Sequence, residues 1–152
     1  MTPLARANIA ALAVPGLAMA GALGSQYIGH LYPCEMCHWQ RWPHEAAIAL
    51  AILAFFLPRD PRRSLIGLAA VAILISGAIG VFHAGVEYKW WEGITTCSRT
   101  GGAVTLESIM ATPLIRCDAP QWTFANVSLA GFNAIWSILG GLAVFALLKR
   151  AR

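Results

Sequence analysis

Charged residues are scarce in this chain of 152 residues. Only 12% of the residues are charged, whereas 58% are hydrophobic, and the mean hydropathy is +0.62. Soluble domains carry about 25% charged residues. The scarcity of charge therefore excludes an ordinary soluble domain and indicates an integral membrane protein.

The chain also lacks internal repeats, low-complexity tracts and any shift in composition that would mark a domain boundary. Its basic residues are not interleaved with aromatic residues, so the net charge of +4 does not indicate nucleic acid as a partner. Contact with the anionic lipids of the cytoplasmic leaflet explains this charge. We expect a single integral membrane domain over residues 1–152.

The chain contains several long apolar runs. A hydrocarbon core of about 30 Å is crossed by roughly 20 helical residues. The apolar runs cover residues 9–28, 42–57, 65–84 and 128–147. The predicted fold class is therefore an all-α membrane protein, a bundle of four transmembrane helices. Its outer connections are 29–41 and a long loop, 85–127, between the third and fourth helices.

The first apolar run has two interpretations. Arg6 followed by apolar residues and by Ala18-Met19-Ala20 resembles a secretory signal peptide with a small-residue cleavage site. The run continues to Ile28, however, beyond the roughly 7 to 15 residues of a signal-peptide core. We therefore favour a retained span, and the segment that follows it faces outward in either case.

The basic residues predict the orientation, because Lys and Arg in short loops stay on the cytoplasmic side. One side of the predicted bundle holds Arg6, Arg59, Arg62, Arg63, Lys149, Arg150 and Arg152. The other side holds Arg41, Lys89, Arg99 and Arg116. Both termini are therefore expected in the cytoplasm, and the longer connections outside.

All four cysteines lie in these outer connections. Cys34 and Cys37 form a C-x-x-C motif, and Cys97 and Cys117 lie in the long polar loop. In a bacterial-type periplasm, disulfides form and persist. Two structural disulfides are one interpretation, but the short ring of a C-x-x-C motif is more typical of a reversible redox site.

Arg41 follows Cys37 by four residues, so a helical turn would place both on one face. A nearby cation and a helix N-terminus both favour the thiolate, which is the reactive form of cysteine. Counting 20 residues back from Pro58 places Cys34 and Cys37 at the membrane surface. Arg41 either stabilises a thiolate there or contacts lipid headgroups.

The segment from Tyr32 to Arg41, YPCEMCHWQR, resembles the P-C-x-x-C-x-x-x-R signature of the DsbB family of membrane disulfide oxidoreductases. The segments 83–87 (HAGVE) and 91–93 (WEG) are similar to those of many bacterial members. The four-span layout and the second outer cysteine pair extend the resemblance over nearly the whole chain.

The resemblance implies a protein-dithiol:quinone oxidoreductase of the bacterial inner membrane, which reoxidises a soluble DsbA-like thiol oxidase and reduces ubiquinone or menaquinone. It implies that the partner's thiolate attacks Cys97 and that Cys117 leaves and attacks the first-loop disulfide. A Cys34–Cys117 bridge would result, and Cys37 would be the thiolate that faces the quinone.

The resemblance also implies quinone-binding residues. Arg41 would help to hold the quinone ring, and His83 would hydrogen-bond or protonate its oxygens, with Glu87 one turn later on the same face. The alternative for His83 is a structural pair with Glu87. Asn133, inside the fourth run, is either an interhelical hydrogen-bond partner or a quinone ligand, and we favour the first.

Two further functions compete with this hypothesis. A metal-binding membrane protein would use the dense set of ligand residues around the motif. These residues are His30, Cys34, Cys37, His38 and His44. A structural protein with two static disulfides is the other alternative. We predict no resident metal, since a metal site gives Arg41 no role. In the long loop, Leu106, Ile109 and Met110 have the spacing of a short amphipathic helix.

Overall fold

The structure, a computed structural model, describes residues 1–95 and 116–151. Within these ranges the chain forms four helices and one small β-hairpin. The elements are α1 (Pro3–Tyr27), α2 (Glu35–Phe55), α3 (Arg59–Glu87), β1 (Thr123–Phe124), β2 (Val127–Ser128) and α4 (Leu129–Arg150). The fold is helical as predicted, apart from the hairpin, which the sequence analysis did not anticipate.

Three helices, α1, α3 and α4, are long and apolar enough to cross a membrane. Helix α2 falls outside this set because its first half contains Glu35, Arg41 and Glu45 among other polar residues. The arrangement is consistent with a helical membrane bundle. A crossing by α2 remains a prediction.

The helices extend beyond the apolar runs that the sequence defines. Helix α2 begins at Glu35, so much of the connection expected at 29–41 is helical, and α3 continues to Glu87. The Cys34 side chain caps α2 by accepting a hydrogen bond from the backbone N–H of Cys37. Hydropathy marks only the apolar part of a helix, whereas capping and backbone hydrogen bonds set its ends.

Small residues allow the helices to approach closely. Helix α3 packs against both α2 and α4, and α1 packs against the same two helices. A Cβ atom on Gly80 would come within 3.0 Å of the backbone of Ala130, so α3 and α4 are in backbone contact there. The bundle core is built largely from alanines, including Ala47, Ala51 and Ala70.

Candidate functional site

Cys34 and Cys37 meet at the N-terminus of α2. Cys34 precedes the helix and is buried, and Cys37 lies in the first turn. The two sulfurs are 2.9 Å apart and form a hydrogen-bonded dithiol pair. The capping geometry thus brings together the two thiols that a disulfide would join.

The two thiols differ in acidity. A hydrogen bond with Cys37 and burial raise the pKa of Cys34 far above its usual range. The same hydrogen bond from Cys34 lowers the pKa of Cys37, with Arg41 acting in the same direction and burial and Glu87 opposing it. Cys37 is therefore the thiol that ionises first, with Cys34 as its hydrogen-bond donor.

His83 reaches the cysteine pair from α3. Its Nε2 atom lies 3.6 Å from the sulfur of Cys34, and its Nδ1 atom accepts a hydrogen bond of 2.8 Å from the Gln40 amide. This bond leaves the proton of a neutral ring on Nε2, which is the nitrogen that faces the sulfur. The Glu87 carboxylate is 3.8 Å from the same nitrogen and is largely buried.

Cys117 lies next to the first cysteine pair although it is 80 residues or more away in sequence. It is fully buried, and it belongs to one cluster with Cys34, Met36 and Val86. The neighbouring Asp118 forms ion pairs with Arg116 and with Lys89, which follows α3. These contacts attach the segment around Cys117 to the C-terminal end of α3, and they hold the pKa of Asp118 well below its usual range.

Arg41 points toward α1. Its guanidinium donates a hydrogen bond of 2.6 Å to the Gln26 side chain and one of 3.2 Å to the backbone carbonyl of Ala22. The side chain is therefore fixed by protein contacts near the end of α1. From this position its charge still lowers the pKa of Cys37.

A buried polar network continues from His83 into the bundle. Asn133 of α4 donates to the Oε1 atom of Gln40 at 2.8 Å and accepts from Nε2 of His44 at 3.0 Å. Ser76 of α3 donates to the Gln40 carbonyl and lies 2.9 Å from the same His44 nitrogen. Asn133 thus makes the interhelical contacts that its position in an apolar run predicts.

A cavity of about 850 Å³ opens beside the cysteine pair. Its polar lining residues include Cys34, Cys37, Arg41 and His83. Most of its wall is apolar and includes Leu17, Met19, Leu129, Phe132 and Trp136. A large apolar cavity with a few convergent polar groups is the usual form of a small-molecule site.

The sequence candidates separate into three groups. The structure brings together Cys34, Cys37, Arg41, His83 and Glu87, with Cys117 beside them. His30 and His38 are exposed and do not join the cysteines, while His44 lies deeper in the polar network. Cys97 and the predicted loop helix with Leu106, Ile109 and Met110 lie outside the described residues.

Three residues of the polar network could not be predicted from the sequence as hydrogen-bond partners. Ser76 and Ser137 are absent from the sequence candidates, and His44 is expected there only as a metal ligand. Each of these residues lies within or beside an apolar run, where an isolated polar side chain signals an internal partner. That signal identifies the residue but not the partner, which lies on another helix.

Comparison with known proteins is consistent with this geometry. The family model described as "Disulfide bond formation protein DsbB" matches residues 5–147. A disulfide bond formation protein B from Acidovorax sp. (strain JS42) is 29% identical over 135 residues, which cover 82% of this chain and 76% of that protein. The uncharacterized protein RP370 of Rickettsia prowazekii (strain Madrid E) is 23% identical over 138 residues, which cover 86% of this chain and 80% of that protein. No solved structure matches significantly.

The family match covers nearly the whole chain and includes both described cysteine segments. Together with the paired thiols at the head of α2, it identifies the chain as a member of the DsbB family, the oxidoreductases of disulfide bond formation.

Proposed function

We propose that this protein reoxidises a soluble, DsbA-like thiol oxidase in the bacterial periplasm and passes the electrons to a membrane quinone. The observation that carries the proposal is the mainly apolar cavity that is lined by both Cys34 and Cys37. It joins a dithiol to a space of the size and polarity that a lipid-soluble electron acceptor requires.

The residues around the cavity fit a quinone ring. Two buried polar atoms, Nδ1 of His44 and Oε2 of Glu87, have no hydrogen-bond partner among the described residues. Both residues line the cavity, as does Arg41. Buried polar atoms are normally paired, and both of these atoms are acceptors, since Nε2 of His44 donates to Asn133. They suit the hydroxyl groups of the reduced, quinol form of the ring, and the Arg41 guanidinium is a donor for the oxygens of the quinone form.

The relay begins in the outer loop. The partner's thiolate attacks Cys97, which breaks a Cys97–Cys117 disulfide and releases the Cys117 thiolate. Cys117 then attacks Cys34 of the Cys34–Cys37 disulfide, so that a Cys34–Cys117 bond forms and Cys37 leaves as the thiolate. The packing of Cys117 and Cys34 in one buried cluster supports this step.

The remaining exchanges return the outer pair to its starting state. The partner's second thiol resolves the mixed disulfide, which releases the oxidised partner and the Cys97 thiolate. Cys97 attacks Cys117, which re-forms their disulfide and leaves Cys34 and Cys37 as a dithiol. The 2.9 Å hydrogen-bonded pair has the geometry of this dithiol state.

The residues of the cavity then support oxidation of the dithiol. A bound quinone supplies an acceptor for two electrons and two protons. Arg41 favours the Cys37 thiolate, and Cys34 keeps its proton through its hydrogen bond to Cys37. His83 lies 3.6 Å from Cys34 and holds a proton on Nε2, so it is placed to move protons between Cys34 and the cavity.

The relay predicts a disulfide that can be trapped. The oxidised protein is mixed with reduced partner in the absence of quinone, quenched with acid and analysed by mass spectrometry of its peptides. We expect a peptide pair that joins Cys34 to Cys117, and we expect Cys117→Ser to abolish it. Detection of Cys34 only in a bond to Cys37, at any time after mixing, would contradict the relay.

A further inference from the structure

The reduced cysteine pair and His83 form a second kind of site. The sulfurs of Cys34 and Cys37 and a ring nitrogen of His83 lie within 4.8 Å of one another. Two thiolates and one imidazole are a ligand set typical of zinc and of related thiophilic cations. Here α2 supplies one helical turn with two sulfurs, and α3 supplies the nitrogen.

The distances suit a tetrahedral ion. Around zinc, a sulfur and a nitrogen ligand are about 3.6 Å apart and two sulfurs about 3.8 Å apart, given typical metal–ligand bond lengths. The Cys34 sulfur is 3.6 Å from Nε2 of His83, and the two sulfurs are 2.9 Å apart. The sulfur pair must open by about 0.9 Å, through rotation of the partly exposed Cys37 side chain. The Cys37 sulfur lies within 4.8 Å of a ring nitrogen of His83.

The surrounding charges favour a cation. Glu87 places a largely buried carboxylate 3.8 Å from Nε2 of His83, and its Oε2 atom has no partner among the described residues. Arg41, an opposing charge, is held toward α1 by Gln26 and Ala22. The cavity provides a route of entry to both sulfurs.

We infer that the dithiol form of this protein binds a thiophilic divalent cation of the zinc class through Cys34, Cys37 and His83, and that the disulfide form does not. Binding releases the protons of the two thiols and changes no oxidation state. It also moves the ring proton of His83 from Nε2 to Nδ1, where the Gln40 amide turns its oxygen to accept it. While the cation is bound, the two sulfurs cannot form a disulfide, so the cation arrests the enzyme in its reduced state. The inference needs only the reduced pair and His83, and it stands whether or not a quinone is the electron acceptor.

The test uses the full chain in detergent, reduced with a phosphine and titrated with Co²⁺ as a spectroscopic probe for zinc. We expect about one equivalent of cobalt per chain, with a sulfur-to-cobalt charge-transfer band in the ultraviolet. The band should be absent from the disulfide form and from Cys37→Ser, and present in Cys97→Ser. His83→Ala should weaken binding at least about tenfold.

Matched variants distinguish the loss of a metal ligand from a change in folding. His38→Ala, next to Cys37 but exposed and outside the cluster, should bind cobalt like the parent protein. His83→Cys restores a third soft ligand and should recover the band with greater charge-transfer intensity. Equal binding by His83→Ala and the parent protein, or equal binding by the disulfide and dithiol forms, would overturn the inference. Because the titration contains no quinone and no partner, its failure would leave the relay untouched.

Discussion

At the scale of single residues, the two cysteines of the C-x-x-C motif have different chemical roles because one hydrogen bond has opposite effects on them. It raises the pKa of Cys34, the donor, and lowers that of Cys37, the acceptor. A relay needs this asymmetry, since one sulfur must be attacked while the other leaves as a stable thiolate.

This asymmetry predicts the order of alkylation. When the reduced protein is treated with iodoacetamide over a series of pH values, Cys37 should react first, with a midpoint below the usual thiol pKa of 9.0. Cys34 should resist at every pH in the series. Arg41→Gln should move the Cys37 midpoint to higher pH because the thiolate loses a nearby cation. Peptide mass spectrometry distinguishes the sites, and preferential alkylation of Cys34 would contradict the assignment.

The site residues also show which contacts could be predicted from the sequence and which could not. The spacing of Cys34, Cys37 and Arg41 is local, and one helical turn determines it, so their proximity was predictable. The contact of Gln40 with His83 joins residues 43 positions apart and depends on how α2 packs against α3. The sequence supplied the polar residues of the network, but only the packing of the helices supplied their partners.

At the scale of elements, the C-terminal end of α3 is shaped by Trp91. The indole N–H donates to the backbone carbonyl of Phe82 at 2.9 Å, and the rings of Phe82 and Trp91 are stacked. The indole lies directly over Gly85, where any Cβ atom would overlap with it. This contact explains why glycine occupies the middle of the segment that also carries His83 and Glu87.

Gly85→Ala should therefore displace Trp91 and destabilise the end of α3. We expect a loss of roughly 1–3 kcal/mol, the usual cost of overpacking, measured as a lower midpoint of thermal unfolding in detergent. Gly16→Ala in α1 is the matched control, because a Cβ atom there meets nothing within 4 Å. The control should be neutral or slightly stabilising, since alanine is the better helix former. Equal midpoints for both variants would show that Trp91 does not constrain Gly85.

Helix α2 is the element for which hydropathy alone was least informative. Its apolar part was predicted at 42–57, yet the helix begins at Glu35. The cap by Cys34 and the partners of Gln40 and His44 explain why a polar segment is helical here. The hairpin of β1 and β2 was also missed, since each strand has only two residues and no periodicity to detect.

At the scale of the whole molecule, the proposed function requires that the cysteine site face the periplasm and that both termini stay in the cytoplasm. His30, close to the cysteine pair, and Ser64, near the start of α3, lie on opposite sides of the bundle in this topology. A membrane-impermeant maleimide added to intact spheroplasts should therefore label His30→Cys more strongly than the parent protein. Ser64→Cys should be labelled more strongly than the parent protein only after permeabilisation. The reverse pattern would contradict the orientation predicted from the basic residues.

The central proposal is that the protein couples oxidation of the partner's thiols to reduction of a quinone. Measuring both reactions together tests it most directly. The purified protein is mixed with a reduced DsbA-like partner and a soluble ubiquinone analogue, and quinone absorbance is followed together with the partner's thiols. We predict one quinone reduced for each partner disulfide formed, and loss of turnover in each of Cys34→Ser, Cys37→Ser, Cys97→Ser and Cys117→Ser. Oxidation of the partner without quinone reduction, or normal turnover by Cys37→Ser, would contradict the account.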